Sequence, residues 1–450
     1  MEREFDAVVL GAGPAGEVVA GRLGAAGLGV ALVESHLVGG ECSFYACMPS
    51  KALLRPAELA AEVARVPGLT VKELDPAAVL ARRDEVIHEL DDASQLPWLE
   101  ARGVTLVRGF GRLDGERRVR VDADVLVARK AVVVATGSGA AMPPIPGLVD
   151  SRPWTNREAT TAKAVPASLV ILGGGVVGVE LAQAWASLGS SVTLVEGLPR
   201  LIAREEEFAS EQVEDALRAG GVDVRTGAKA VSVRRDAEVT IELEDGTSAS
   251  GAELLVAVGR KPLTQEIGIE TNGLEPGASI EVGGDLRSPA HDWLYAIGDV
   301  NGRSLLTHMG KYQARLAADS ILGKRVELRS DGALSPRVIF TEPQVAAVGY
   351  TLAGAKEAGL NVRAVDVGTS ANAGGSFVGR NAPGTARLVV DEDRGVIVGA
   401  TFTGAAVASS LHAATIAVVA EVPLATLWHA VPAFPTRSEL WLRLLETYGL

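Results

Sequence analysis

Apolar and polar positions fall into blocks along the chain, and two of those blocks are copies of one pattern. Residues 6–35, DAVVLGAGPAGEVVAGRLGAAGLGVALVES, pass from an apolar run through spaced glycines into an alanine-rich stretch, then into a second apolar run ending on an acid. That order predicts strand, tight turn, helix and strand. Gly11 permits the turn, Gly13 lets the backbone approach a pyrophosphate, Gly16 lets helix and strand pack closely, and Glu34 can accept from a ribose hydroxyl. Residues 168–197, SLVILGGGVVGVELAQAWASLGSSVTLVEG, repeat the pattern with Gly173, Gly175, Gly178 and Glu196, and in both copies the acid follows the first glycine by 23 positions. One glycine-rich turn also occurs in α/β sheets that bind nothing; two with matched spacing predict two bound dinucleotides.

Between and beyond the copies, KAVVVATGSG (130–139) and LYAIGDVNG (294–302) predict strands that return to the first domain. Residues 48–66 and 305–322 carry helical patterns, and the apolar stretch 411–431 predicts a core or interface helix, which periodicity alone does not distinguish.

Composition narrows the class. A chain of 450 residues, 47% hydrophobic with 51 glycines, predicts about three domains of α/β type. No apolar run approaches the roughly 20 residues of a membrane helix, and MEREFD is acidic where a signal peptide is basic, so a cytoplasmic protein without a membrane partner is expected. A net charge of −13 and the lack of a basic face argue against nucleic acid. Both cysteines, Cys42 and Cys47, lie in GGECSFYACMPSK (39–51). In a reducing compartment such a pair is a redox couple, a metal site or two buried thiols rather than a staple. A metal site would need more ligands, so none is expected. The helix predicted from residue 48 places both sulfurs near its N-terminal turns, where the dipole favours thiolate.

Taken together, GAGPAG (11–16), the cysteine segment, ATGS (135–138), GGGVVGVE (173–180), VAVGRKP (256–262), YAIGDV (295–300), FTEPQVAAVGYT (340–351) and PTRSE (435–439) resemble the flavoprotein pyridine nucleotide-disulfide oxidoreductases over nearly the whole length. The resemblance implies two Rossmann-like domains, for FAD and NAD(P), and a C-terminal α+β dimerisation domain: residues 1–148 and 269–332 for FAD, 149–268 for the nicotinamide cofactor, and 333–450 for the interface of a homodimer. The first fingerprint would then bind FAD, with Asp299 on the ribityl chain and Gly40, Thr136, Gly137, Gly259 and Arg260 among the cofactor-binding positions. The second would bind NAD, because Glu196 repels a 2′-phosphate, although Arg200 and Arg204 leave NADP open. By the same resemblance Cys47 faces the flavin, Cys42 meets the substrate, and Lys51 pairs with Glu180.

Departures from the family pattern bear on the reaction. Glu41, Phe44, Tyr45 and Ala46 replace its usual residues around the cysteines. Phe434 occupies the place of the acid/base histidine before Pro-Thr, leaving Glu439 without the partner it orients. Thiol–disulfide exchange gains two to four orders of magnitude from such a proton carrier. His429, Tyr45 and Glu41 are the candidate substitutes. The chain ends LRLLETYGL, without the cysteine pair that mercuric reductases use to hand over metal. Three functions follow: reduction of a disulfide, or oxidation of a dithiol such as dihydrolipoamide; reduction of quinones or other small electron acceptors; and a flavin-bearing redox sensor or accessory subunit.

Overall fold

A computed structural model describes residues 1–450. The chain divides into two compact units, each of mixed α/β structure. The first comprises Met1–Pro49, Asp84–Ala141 and Arg260–Gly332. Its parallel strands run Val104–Arg108, Val30–Glu34, Glu2–Leu10, Asp124–Val134, and the start of Asp124–Val134 also pairs with an antiparallel hairpin, Gly111–Leu113 and Arg118–Val121. Ala7–Leu10 and Val132–Val134 are buried throughout, as an unbroken apolar run must be when both faces of a parallel sheet are covered. Leu294–Ala296 pairs with the end of Asp124–Val134 in the register Leu294↔Val132, so the segments 130–139 and 294–302 share this sheet. Helix Pro14–Ala25 begins with proline just past Gly13 and lies beside helix Thr307–Ile321.

The second unit comprises Ser50–Arg83, Met142–Gly259 and Ala333–Leu450. It holds a four-stranded parallel sheet ordered Asp223–Arg225, Ser191–Val195, Ser168–Leu172, Glu253–Val256, and a three-stranded antiparallel sheet formed from residues 230–251. Helix Val176–Ser187 covers the parallel sheet and buries Trp185 completely. The C-terminal part is a five-stranded antiparallel sheet, ordered Arg337–Ile339, Gln344–Gly349, Val396–Gly404, Thr385–Asp391, Val362–Gly368.

The apolar stretch 411–431 is two helices, not one. Leu411–Val419 and Leu424–Leu427 are separated where Glu421 takes a φ of 47° and Pro423 bridges to Val396; proline cannot continue a helix from its interior. Leu411, Ala414, Ala417 and Val418 face the core while Ile416 is 54% exposed, so the stretch is core on one side and open on the other. No helix is long and apolar enough to cross a membrane.

Candidate active site

The two fingerprints are superimposable in their physical detail. Gly11 and Gly173 have φ of 97° and 112°, and a Cβ at either would strike the carbonyl oxygen of Ala135 or Ala257, at 2.5 and 2.6 Å. A Cβ on Gly16 would lie 1.8 Å from the Gly11 oxygen, and one on Gly178 would lie 1.9 Å from that of Gly173. A Cβ added to Gly13 or Gly175 would meet nothing within 4 Å. Each begins a helix that lacks a side-chain cap, so first-turn N–H groups face open space that an anionic group can occupy. These cradles fit dinucleotide pyrophosphates. The acids match too: Glu34 accepts from the amides of Ala12 and His36, both at 2.7 Å, and Glu196 from those of Gly174 at 2.5 Å and Leu198 at 2.7 Å. Each carboxylate therefore fixes its glycine turn from below and keeps lone pairs for a ribose.

Arg200 is occupied by its own loop. Its guanidinium donates to the carbonyls of Ala203 and Glu205 and to the Ser210 hydroxyl, while Arg204 is exposed.

Cys42 lies on a separate short helix, Gly40–Phe44, and Cys47 is the first residue of helix Cys47–Arg65. Cys47 thus opens the helix expected from residue 48, while Cys42 stands on a separate helix before it rather than in its first turns. Both are thiols. The expectation of thiolate does not hold for Cys42 either: its hydrogen bond with Cys47, then burial, push its pKa up against the Thr307 hydroxyl and the Lys311 charge. Two sulfurs in hydrogen-bond contact cannot both shed their protons cheaply, so Cys42 retains one. The Cys47 sulfur stands 3.4 Å from the hydroxyl of Thr307, which opens helix Thr307–Ile321, a helix without a side-chain cap. Tyr45 is half-buried and closes the short helix through its N–H to the Glu41 carbonyl.

Asp299, on the turn Gly298–Asn301, accepts from the Ser138 hydroxyl at 2.5 Å, and Arg260 donates to that same hydroxyl at 2.7 Å and to the Ser138 carbonyl. Burial pushes the Asp299 carboxyl up, against Ser138 and Arg260. Gly40 packs on Gly13, where a Cβ would come within 2.8 Å of its Cα. Thr136 donates to the Leu263 carbonyl at 2.9 Å. Gly137 and Gly259 precede the paired strands Ser138–Ala140 and Arg260–Pro262.

In the second unit Lys51 donates to Glu180 at 2.7 Å, Glu180 accepts from the Phe340 amide at 2.9 Å, and the Lys51 ammonium lies 4.8 Å above the Phe340 ring. Glu180 is 3% exposed, so the pair is the means by which this carboxylate stays charged inside a core.

The C-terminal segment is open at its tip and pinned at its base. Phe434 is 76% exposed and His429 is exposed. Glu439 is buried and accepts from the Gly374 amide at 3.2 Å rather than from His429; a Cβ on Gly374 would lie 2.0 Å from the Thr436 carbonyl carbon. Sequence reasoning missed four contributors. Ser138 ended the quoted ATGS and Thr307 lay in the helical pattern 305–322, each a polar residue at an element start and a usable signal, whereas Phe340 and Gly374 contribute backbone amides that no side chain announces.

Residues 5–315 match the family described as pyridine nucleotide-disulphide oxidoreductase, and residues 335–444 match its dimerisation domain. The chain is similar to dihydrolipoyl dehydrogenase of Chlorobaculum tepidum, 33% identical over 97% of this chain and 95% of that protein, and to that of Thermus scotoductus, 32% identical over 97% and 96%. Among solved structures it is similar to the Cu(II) complex of HOCl-induced flavoprotein disulfide reductase RclA from Escherichia coli, with a TM-score of 0.87 and 25% identity, covering 98% of this chain and 99% of that one.

Proposed function

Because the chain belongs to the pyridine nucleotide-disulphide oxidoreductase family, we propose that it is an NADH-dependent enzyme whose Cys42–Cys47 pair alternates between disulfide and dithiol against a small disulfide or dithiol substrate. FAD and a nicotinamide dinucleotide are the cofactors of this family, and the enzyme is FAD-dependent. FAD, when bound, supplies the two-electron link between the nicotinamide hydride and the sulfurs. The first cradle, with Glu34, Gly40 and Asp299, holds it; the second, with Glu196, holds NADH. The engagement of Arg200 within its own loop supports NAD over NADP, since a 2′-phosphate calls for a disengaged arginine.

The observation that supports the sulfur chemistry is the placement of Cys47 against Thr307 with Cys42 bonded to it. The helix terminus there favours negative charge on Cys47, while Cys42, on its own short helix, is the sulfur for exchange. In that exchange Cys42 first gives up its proton to solvent, then attacks the substrate disulfide and expels one thiolate; Cys47 then attacks Cys42 and expels the second, restoring the pair as a disulfide. The dimerisation domain supports a homodimer.

A second reading, reduction of quinones or other small acceptors, draws on the exposed Phe434 and on Glu439 holding Gly374, because such acceptors need no histidine at that position. Anaerobic NADH titration of the wild type beside the Cys42→Ser, Cys47→Ser double variant tests both. Uptake of four electrons with a long-wavelength thiolate–flavin absorbance that the variant lacks supports the disulfide reading. Identical two-electron reduction of both proteins removes the sulfurs from the path and leaves the second.

A further inference from the structure

Three loops meet at one edge of the first unit's sheet. Strands Glu2–Leu10, Asp124–Val134 and Leu294–Ala296 are parallel neighbours, with Leu10 and Ala296 both in register with Val134. The turns that follow them, 11–16, 135–138 and 297–301, therefore leave the sheet side by side at its carboxyl ends, where open parallel sheets take their ligands. A Cβ on Gly11 would strike the Ala135 carbonyl oxygen at 2.5 Å, and one on Gly298 would stand 3.5 Å from that of Ala15, in the first turn of helix Pro14–Ala25. Asp299 thus stands at the rim of the first cradle. Its turn is anchored from behind by Gln313, fully buried on helix Thr307–Ile321, which accepts from the Gly298 amide at 2.8 Å and from the Asn301 side chain at 2.9 Å.

The carboxylate itself is held from the neighbouring loop, 161 positions away in sequence: the Arg260 Nε–H donates to the Ser138 hydroxyl at 2.7 Å, and that hydroxyl donates to Asp299 Oδ2 at 2.5 Å. Chemistry fixes the order of donation. A guanidinium only donates and a hydroxyl has one proton, so with Arg260 on a lone pair of Ser138 the proton goes to Asp299. The short contact is that of a hydroxyl on an ionised carboxylate. Arg260 also lies 3.8 Å from Oδ2 and bonds the Ser138 carbonyl. Ser138 is 2% exposed, so the bond is made where water does not compete for it. Burial works against charge on Asp299, and the Ser138 hydroxyl is the donor that opposes it.

We propose that Ser138 is a positioning residue for the flavin cofactor: oriented by Arg260, it holds Asp299 as an ionised acceptor through Oδ2 and leaves Oδ1 to accept from a hydroxyl of the FAD ribityl chain. This rests on the reading that the first cradle, with Asp299, holds FAD.

The test is the Kd for FAD, from flavin fluorescence on serial dilution of the FAD-loaded protein, in the wild type, Ser138→Ala, Asp299→Ala and the double variant, with thermal unfolding of each beside it. Ser138→Ala should raise Kd about tenfold, as a bond to a charged acceptor falls to one with a neutral or misaligned group. Asp299→Ala should raise it at least as much. The double variant should stay within about twofold of Asp299→Ala, because Ser138 acts only through the carboxylate. A merely structural serine would weaken FAD in the Asp299→Ala background as well, so effects that multiply in the double variant overturn the proposal. Ser138→Ala with wild-type affinity, beside a weakened Asp299→Ala, overturns it too and leaves the FAD reading of the cradle standing. Wild-type affinity in Asp299→Ala defeats the reading of Asp299 and the proposal with it. Should Ser138→Ala fold poorly, Ser138→Cys, of similar shape with a weak donor, takes its place in the same cycle.

Discussion

Replacing Glu34 by glutamine should loosen FAD and leave NADH binding intact, and replacing Glu196 should do the reverse. Each carboxylate accepts two backbone amides, at 2.7 and 2.7 Å for Glu34 and 2.5 and 2.7 Å for Glu196, and Glu34 is only 9% exposed. A glutamine offers one acceptor oxygen, so its NH2 must face the second amide. Hydrogen bonds to a charged group contribute about 1.5–3 kcal/mol, and a donor left unpaired in a buried place adds desolvation, for a loss of about 2–3 kcal/mol per site. Part of that falls on the glycine turn itself and part on the ligand it cradles; an even split is about a tenfold rise in Kd. Reconstitution of apoprotein with FAD, followed by flavin fluorescence, measures the first site, and NADH titration of the holoenzyme measures the second. Unchanged FAD affinity in Glu34→Gln, at unchanged thermal stability, would refute the reasoning. An exchange of effects, with Glu34→Gln weakening NADH and Glu196→Gln weakening FAD, would refute the assignment of cofactors to cradles.

Gly13→Ala should fold yet bind FAD poorly, because its Cβ would enter open space that the pyrophosphate needs, whereas Gly16→Ala meets a backbone oxygen at 1.8 Å and should give little folded protein; expression, circular dichroism and bound-flavin content separate the two. Lys51→Met strands Glu180 in the core and should cost about 2–3 kcal/mol in denaturant unfolding, the low end for a buried pair because Lys51 is partly solvated, while Glu180→Gln, which still accepts from Phe340, should cost less. For Glu17, whose folded value is raised to about 7 from an ordinary 4.5, the folded state binds the proton more tightly, so stability is greatest at acid pH and is lost as pH rises through 7; Glu17→Gln should remove that loss, up to about 3 kcal/mol at alkaline pH, and be near neutral below pH 4.5. On the proposed reading, with Phe434 where the resemblance implies an acid/base histidine, kcat/KM for disulfides should rise steeply as the leaving thiol becomes more acidic, and Phe434→His should raise the rate with alkyl disulfides by about 10² or more; a flat dependence in the wild type would mean another group supplies the proton.

What the sequence disclosed was what is encoded locally. A fingerprint is legible because its glycines and acid stand at fixed offsets within one strand–turn–helix unit, and the same offsets set the carbonyl clashes at Gly16 and Gly178. The Lys51–Glu180 pair was reachable only through resemblance, since 129 positions separate its members and nothing in either segment names the other. The placement of Cys42 was missed for a subtler reason: Gly39 and Gly40, with φ of 109° and 57°, wind the chain into a short helix of its own before Cys47, and a helical pattern read from residue 48 carries no mark of that break.

Glu439 shows how retention of a residue can mislead. Its acid reads naturally as an orienting group that has lost its histidine, but the carboxylate is buried and spent on the Gly374 amide, beside a backbone approach so close that only glycine fits. A buried amide left without its acceptor is expensive, so removing Glu439 would disturb the base of the segment whether or not any histidine were present at its tip. The glutamate is therefore accounted for by the local fold, and its presence does not call for a proton carrier. That leaves Phe434, exposed at the tip with no polar atom in its side chain, as a residue that can neither take nor give a proton there.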